Sequence, residues 1–223
     1  RAVLGIPYDA ETDTMSITFN VNLGKKKRGV KLEEDLTADC LNTKLVKAML
    51  TPRLLLGVVN SQYDPLGLVS PITVRLKKSL QELHSPEYKL GWDTEVRGKL
   101  REQWVGLVEM LIMAGSIQFR RATRPTNAVG NPELIVYWDG SDAAAAAVIY
   151  IRWFLKDNGV DVRLVASKTR ITSLGPGSTV RVEMNGATLS MRLLRAVVRA
   201  LQMPLQRTWV VGDSTVVLAS REK

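Results

Sequence analysis

Residues 134–141 read Leu-Ile-Val-Tyr-Trp-Asp-Gly-Ser, a short apolar run that ends on an aspartate and a turn. The aliphatic and aromatic content and the Gly-Ser ending predict a β-strand that stops near Asp139. The pattern after it predicts a second strand, a third strand, a helix and a fourth strand, over residues 145–153, 160–166, about 180–201 and 209–211. Asn158-Gly159 is a strong hairpin signal between the second and third strands. The sequence therefore predicts a three-stranded meander, a helix and another strand.

Three carboxylates fall at informative places in this pattern. Asp139 closes the first strand, and Asp213 follows the fourth. At about 100° per residue, Glu183 falls in the middle of the apolar face of the helix. An arginine stripe lies on the other side of the helix, formed by Arg192, Arg195 and Arg199. A carboxylate in a core is costly unless it is paired, protonated or bound to a cation. The alternative is that Glu183 lies in the first helical turn, where the helix dipole favours an acid and water has access.

The two strand ends and the helix could bring Asp139, Glu183 and Asp213 to one point. Converging carboxylates without His or Cys suit hard divalent cations such as Mg²⁺ or Mn²⁺. Two such ions about 3.5–4 Å apart are the arrangement used for phosphodiester cleavage. The chain has one His and one Cys, so neither a His-based zinc site nor a Ser-His-Asp triad is expected. Asp142 is the alternative first ligand and is otherwise a turn residue.

The composition is that of a folded, basic protein. The chain has 223 residues, 45% of them hydrophobic, which is enough to bury a core. A net charge of +9 favours polyanionic partners, nucleic acid first, and a basic domain without such a partner is the alternative. Cys40 is the one cysteine, so we expect no internal disulfide and an intracellular setting, cytoplasm or nucleus. No apolar run is long enough to cross a membrane.

The first part of the chain has a different pattern. Residues 2–23 predict a β-hairpin, and the charge run Lys25–Arg28 predicts a solvated loop or, alternatively, a phosphate contact. From about residue 36 to 115 the pattern is helical, with helix starts predicted at Thr51-Pro52, Pro71 and Thr94.

Residues 116–132 are rich in Pro, Gly and Asn and predict a linker that carries the domain boundary. Arg120, Arg121 and Arg124 in this linker are exposed candidates for phosphate contact.

Four short motifs occur in order along the chain: Val3-Leu-Gly-Ile-Pro-Tyr-Asp9, Tyr63-Asp-Pro-Leu-Gly-Leu-Val-Ser-Pro71, Leu90-Gly-Trp-Asp93 and Ala166-Ser-Lys-Thr-Arg170. They resemble the LG-x-x-W-D, FDPLG-x-x-x-P, LxWD and AKSR segments of the Pol polyprotein of BEL/Pao retrotransposons, and the FDPLG match is the most specific. The order of elements resembles the ribonuclease H domain: a strand that ends at Asp139, two more strands, a helix that carries Glu183, and a strand followed by Asp213. The resemblance covers almost the whole chain.

The resemblance implies an α+β protein in which a helical connection region precedes a ribonuclease H-like mixed sheet with a packed helix. Residues 1–23 would end the reverse transcriptase palm as a β-hairpin, 24–130 would form the helical thumb or connection region with its linker, and 131–223 the ribonuclease H-like domain. Its partners would be an RNA–DNA hybrid or other nucleic acid and the rest of the Pol polyprotein, with no membrane involved. Lys168 and Arg170, in the AKSR-like motif, join the candidates for nucleic-acid binding.

The resemblance further implies that Asp139, Glu183 and Asp213 are the catalytic, metal-binding carboxylates. They would use two Mg²⁺ or Mn²⁺ ions to cleave RNA in RNA–DNA hybrids. The sequence departs from the family at three places. Gly140 stands where the family has the Ala of D-A-S, and Gly212 stands where a Thr usually precedes the third acid. Around Glu183, Asn185 and Gly186 weaken a helix.

Other activities of such polyproteins are not expected in this stretch. The sequence has no Asp-Asp pair of a polymerase palm and neither the Asp-Thr-Gly nor the Asp-Ser-Gly of an aspartic protease. Because the chain ends at Lys223, soon after Asp213, we expect an incomplete ribonuclease H domain that lacks a fourth acidic residue. Two alternatives remain open: a non-catalytic nucleic-acid-binding remnant or scaffold of the same fold, and a host structural or interaction protein that borrowed the fold.

Overall fold

The computed structural model describes residues 2–3, 6–19, 21–24, 26–27, 30–31, 33–115, 117–173 and 178–214. The chain forms two units, Arg1–Asp64 with Pro71–Arg121 (unit 1) and Pro65–Ser70 with Ala122–Lys223 (unit 2). None of the described helices is both long and apolar enough to cross a bilayer.

Ten strands and four α-helices are described. The strands are β1 (Ala2–Val3), β2 (Ile6–Asp9), β3 (Thr14–Ser16), β4 (Lys26–Lys27), β5 (Val30–Lys31), β6 (Gln118–Arg120), β7 (Ala128–Gly140), β8 (Ala144–Leu155), β9 (Val160–Ile171) and β10 (Arg207–Val211). The helices are α1 (Pro52–Asn60), α2 (Ser70–Leu83), α3 (Gly98–Ala114) and α4 (Thr179–Leu201).

Unit 1 contains a sheet of order β1-β2-β3-β6. The predicted hairpin is present as β2 and β3, but the predicted linker is wrong in part, because β6 pairs with β3 and places Arg120 opposite Thr14. A solvated loop was predicted for the charge run, yet Lys26–Lys27 pair with Val30–Lys31 as a short antiparallel ladder. Lys25 and Arg28 lie outside the described residues.

The helices of unit 1 pack around one apolar core. The Thr51 hydroxyl accepts a hydrogen bond from the Leu54 amide (3.3 Å), and Pro52 occupies the first turn, which confirms the predicted start of α1. Helix α3 begins at Gly98 rather than Thr94, because Arg97 is still extended. The core is built from residues such as Leu55, Leu76, Leu83, Trp104 and Leu111.

Unit 2 contains a sheet of order β10-β7-β8-β9, in which β7, β8 and β9 are antiparallel neighbours and β10 runs parallel to β7. The predicted turn at Asn158-Gly159 is confirmed: Asn158 has φ +62°, and the Leu155 amide donates to the Gly159 carbonyl (3.0 Å). Strand β7 begins at Ala128, inside the stretch predicted as linker. The mixed α+β class predicted from the sequence is confirmed.

Helix α4 covers one face of this sheet. Alternate side chains of β7 and β8 point to that face and are buried, among them Leu134, Val136, Ile149 and Ile151. They pack against Leu193, Leu194, Val197 and Leu201 of α4. Burying a large aliphatic side chain contributes about 1.5–3 kcal/mol, so this layer fixes the helix on the sheet.

Candidate metal centre

The parallel pairing of β7 and β10 explains why two of the predicted carboxylates meet. Val211 lies opposite Tyr137, so Asp213 and Asp139 each lie two residues farther along their strands. Neighbouring parallel strands point the same way, and both aspartates therefore lie at the same end of the sheet. Both are exposed.

Glu183 comes from the second turn of α4. The Ser178 hydroxyl accepts a hydrogen bond from the Arg181 amide (3.3 Å), so the helix begins at Thr179 and its first turn contains no acid. The first-turn alternative for Glu183 is therefore wrong.

The predicted position of Glu183 in the middle of the apolar face is also shifted. The buried residues of α4 are Val182, Gly186, Ser190 and Val197. The centre of this set lies about 60° from Glu183, which is half-buried at the edge of the face. Val198, on the other side of the predicted face, is 40% exposed. The helix is thus rotated so that Glu183 points towards the sheet end rather than into the core.

Two glycines let the backbone of α4 approach the backbone of β7. A Cβ on Gly186 would lie 2.8 Å from the Asp139 carbonyl oxygen, and a Cβ on Gly140 would lie 2.6 Å from the Val182 carbonyl oxygen. Neither distance is tolerated by a real side chain, so both positions require glycine. The close approach brings Glu183 next to Asp139.

The three carboxylates form one group. Each offers an oxygen, and these oxygens all lie within 4.8 Å of one another. Oxygen ligands lie about 2.0–2.6 Å from a hard cation, so oxygens that share one cation are about 3–5 Å apart. The spacing therefore suits a shared ion. Asp142, the alternative first ligand, is exposed in the β7–β8 turn and is not a member of this group.

The electrostatics of Glu183 also fit a cation. Burial raises the pKa of Glu183, and the negative charges of Asp213 and Asp139 raise this pKa further. Its Oε2 is buried and has no hydrogen-bond partner among the described residues. A buried, unpartnered carboxylate oxygen beside two other carboxylates is stabilised by a bound cation. The donor set contains only carboxylate oxygens, which is the preference of Mg²⁺ and Mn²⁺.

Sequence reasoning missed the part that Trp138 plays beside this group. Trp138 is 8% exposed, and its ring occupies the space in which a side chain at position 212 would lie. A Cβ on Gly212 would be 2.2 Å from Trp138 Cε2. Gly212, which appeared only as a departure from the family pattern, therefore lets the chain carry Asp213 past the indole. The available signal was a bulky residue directly before the first acid and a glycine directly before the third.

Two of the predicted nucleic-acid-binding residues lie at the carboxylate end of the sheet. Arg170 of β9 pairs with Ala145 of β8, which pairs with Gly140 of β7. Lys168 of β9 pairs with Ala147 of β8, which pairs with Trp138 of β7. Strands are about 4.8 Å apart, so these exposed residues lie roughly 10 Å across the sheet from β7. Their side chains share the sheet face that carries α4, because directly opposite residues point to the same side.

The other three candidates are placed differently. The Arg124 guanidinium lies over the Trp153 ring (5.3 Å), at the far end of the sheet from Asp139. Arg120 and Arg121 belong to unit 1. The Arg121 guanidinium is held by Asp13, with Nε 2.7 Å from its Oδ1. The structure thus brings Lys168 and Arg170 to the carboxylate end of the sheet, but not Arg124.

The family model described as the Pao retrotransposon-like RNaseH-like domain matches residues 51–214. The chain belongs to this family. The membership confirms the BEL/Pao resemblance drawn from the motifs, and the matched span includes all three carboxylates.

Comparison with individual proteins adds less. No curated protein matches the sequence. Among solved structures, the foamy viral protease-reverse transcriptase dRH in complex with double-stranded DNA aligns with a TM-score of 0.40 and 15% identity. The alignment covers 82% of this chain and 29% of that chain, so the Pao-family chain spans less than a third of the length of the viral protein.

Proposed function

We propose that this Pao-family chain is the ribonuclease H-like part of a retroelement Pol polyprotein. In this proposal Asp139, Glu183 and Asp213 hold divalent cations that serve the cleavage of RNA in RNA–DNA hybrids. The observation that carries the proposal is the convergence of the three carboxylates, whose oxygens lie within 4.8 Å of one another although they come from β7, α4 and the end of β10.

The three carboxylates would have two different roles. Asp139 and Asp213 are exposed, so they would hold the ions on the side open to a phosphodiester. Glu183 is half-buried and would anchor the ions from the helix side through its unpartnered oxygen. When bound, a pair of Mg²⁺ or Mn²⁺ ions supplies a water nucleophile at neutral pH and stabilises the charge that develops on the leaving oxygen.

Lys168 and Arg170 would bind the substrate by its phosphates. They are exposed at the same end of the sheet as the carboxylates, and cationic contacts to phosphates fix orientation without reading bases. The 2′-hydroxyl distinguishes the RNA strand of a hybrid from the DNA strand, so cleavage needs no base sequence. The net charge of +9 supports a polyanionic substrate.

The expected partners of the domain follow from the same assignment. Residues 1–23 would close a reverse transcriptase palm and 24–130 would form its thumb or connection region. The remainder of the Pol polyprotein would then be the covalent partner of the ribonuclease H-like domain at 131–223.

The test is a cleavage assay on a labelled RNA–DNA hybrid with Mg²⁺ or Mn²⁺. Within the complete parent Pol polyprotein, the wild-type sequence should cut the RNA strand, and Asp139→Asn should lower the rate by about 100-fold or more, the usual effect of removing an essential catalytic group. Asp142→Asn is the matched control, since it removes an exposed carboxylate three residues away, and it should keep wild-type activity.

Two outcomes would contradict the proposal. Cleavage that survives Asp139→Asn but is lost in Asp142→Asn would mean that the wrong carboxylate was assigned. Hybrid binding without metal-dependent cleavage would favour the non-catalytic, nucleic-acid-binding alternative.

A further inference from the structure

Residues 65–70, here called the strap, are hydrogen-bonded to strand β9. The strap belongs to unit 2, although the chain on either side of it belongs to unit 1. The Ser167 amide donates to the Leu66 carbonyl (2.7 Å), and the Ser167 hydroxyl donates to the Gly67 carbonyl. Ser167 Oγ also lies 2.9 Å from Ser70 Oγ. Among the described strands, β9 is at the edge of the unit 2 sheet, so these bonds hold an edge strand from outside that sheet.

The contact between the strap and β9 is close and requires glycine at position 67. Gly67 has φ +71°, and a Cβ there would lie 2.0 Å from the Ser167 carbonyl oxygen. The Ser70 amide donates to the Gly67 carbonyl (3.1 Å), which folds the strap back on itself. Ser70 is 6% exposed, so its hydroxyl meets Ser167 away from water. No other residue type fits position 67 without moving β9.

The strap meets β9 beside an irregularity in the pairing of β9 with β8. The register between β8 and β9 shifts at Ile149/Tyr150, opposite residues 164–166 of β9. Such an irregularity interrupts the ladder and bends the strand locally. Ser167 is the first residue after it. Lys168 follows directly and Arg170 two residues later, both on the face that carries α4. Holding the backbone at Ser167 therefore also holds the backbone positions from which the Lys168 and Arg170 side chains extend.

We propose that the strap sets the position of Lys168 and Arg170 for contact with the sugar–phosphate backbone of the substrate. Ser167 and Gly67 are then positioning residues that act through these two cations. The inference rests on the proposed function, in which Lys168 and Arg170 bind the hybrid. It also joins two sequence motifs that looked independent, because residues 63–71 and 166–170 contain the two sides of one contact.

The test is equilibrium binding of the whole 223-residue chain to a labelled RNA–DNA hybrid in EDTA, where no cleavage occurs. Ser167→Ala and Gly67→Ala should each raise the dissociation constant about threefold to tenfold, the effect of losing roughly one hydrogen-bond energy of positioning. They should also make the negative slope of the logarithm of the association constant against the logarithm of the salt concentration shallower by about one, as expected for one lost phosphate contact. Ser167→Ala, the milder change, keeps the test valid if Gly67→Ala does not fold.

A double-mutant cycle separates positioning from general damage. In a chain that already carries Lys168→Gln and Arg170→Gln, the strap substitutions should have no further effect on hybrid affinity. Binding of Mn²⁺, followed by titration calorimetry, should stay at its wild-type level in the strap variants. Gly57→Ala is the matched glycine control, because a Cβ there meets no atom within 4 Å, and it should bind hybrid as the wild type does.

The inference is overturned if the strap variants bind hybrid normally, or if their losses add fully to those of the Lys168→Gln/Arg170→Gln chain. It also falls if that double variant binds hybrid as tightly as the wild type. The cleavage proposal is tested separately, because it depends on the loss of cleavage in Asp139→Asn and not on hybrid affinity.

Discussion

At the scale of single residues, Glu183 is the most informative side chain. Helical arithmetic from the sequence identified it as a carboxylate out of place on an apolar face. The structure moves it to the edge of that face and gives it Asp139 and Asp213 as neighbours. The arithmetic could detect the conflict but not its resolution, because the rotation of α4 is set by the contact of Gly186 with β7.

The pKa of Glu183 leads to a pH prediction for the metal-free chain. Burial, followed by the charges of Asp213 and Asp139, raises this pKa above its ordinary value of 4.5. The folded state then binds more protons than the unfolded state once the pH exceeds 4.5. The free energy of unfolding should therefore fall as the pH rises from 4.5 through the raised pKa, and the loss should be complete above it.

Urea unfolding in EDTA between about pH 4 and 8 measures this effect. Glu183→Gln should remove this contribution and be more stable than the wild type at neutral pH. Glu133, whose burial is outweighed by hydrogen bonds from Trp209 and Arg152 so that its pKa is lowered, contributes equally to both chains and cancels in the comparison. Parallel pH profiles for the two chains would contradict the assigned environment of Glu183.

At the scale of elements, the contact between α4 and β7 decides whether the site exists. Gly186 looked like a weak point of the helix, since glycine costs about 1 kcal/mol relative to alanine there. The structure shows the opposite requirement, because Asp139 and Trp138 leave no room for a Cβ. Local propensity and tertiary packing disagree at this position, and packing determines the residue.

The sign of the change in the free energy of unfolding of Gly186→Ala tests whether packing or helix propensity determines this position. If propensity decided, alanine would stabilise the helix by about 1 kcal/mol. Because the added Cβ would lie 2.8 Å from the Asp139 carbonyl oxygen, we expect a loss of about 1–3 kcal/mol in the free energy of unfolding, measured with urea in EDTA.

Thr188→Ala, at an exposed position of the same helix, is the control and should be neutral or slightly stabilising. A stabilised Gly186→Ala chain would show that α4 does not lie against β7 at this point.

The elements that the sequence predicted correctly have local causes. The hairpin at Asn158-Gly159, the cap at Thr51 and strand β10 follow from turn chemistry, capping and apolar runs. The elements that it missed depend on distant partners. The local sequence of β6 predicts a linker, because only the pairing of β6 with β3, more than 100 residues earlier, makes it a strand.

At the scale of the whole molecule, the motifs gain meaning from contacts that sequence order conceals. The Gly67 and Ser167 contact joins residues separated by 100 positions. Asp139, Glu183 and Asp213 were predictable as a set because strand ends and helix periodicity place them. The glycines and Trp138 around them were not, because their roles depend on distances between backbones and rings.

The predicted nucleic-acid-binding cations do not all lie near the carboxylates. Of the five cationic candidates, Lys168 and Arg170 lie at the carboxylate end of unit 2, whereas Arg121 is held by Asp13 and Arg124 lies on Trp153. Net charge alone indicates a polyanionic partner but not which cations are available to it.

Asp139, Glu183 and Asp213 are proposed to form one divalent-cation site. A crystal structure of the chain grown with Mn²⁺, with anomalous data collected at the manganese edge, would locate the bound ion. We expect an anomalous peak about 2.0–2.3 Å from oxygens of all three carboxylates. A fully occupied Mn²⁺ bound elsewhere, for example at Asp142, with no peak between the three carboxylates, would contradict the assignment of this cation site.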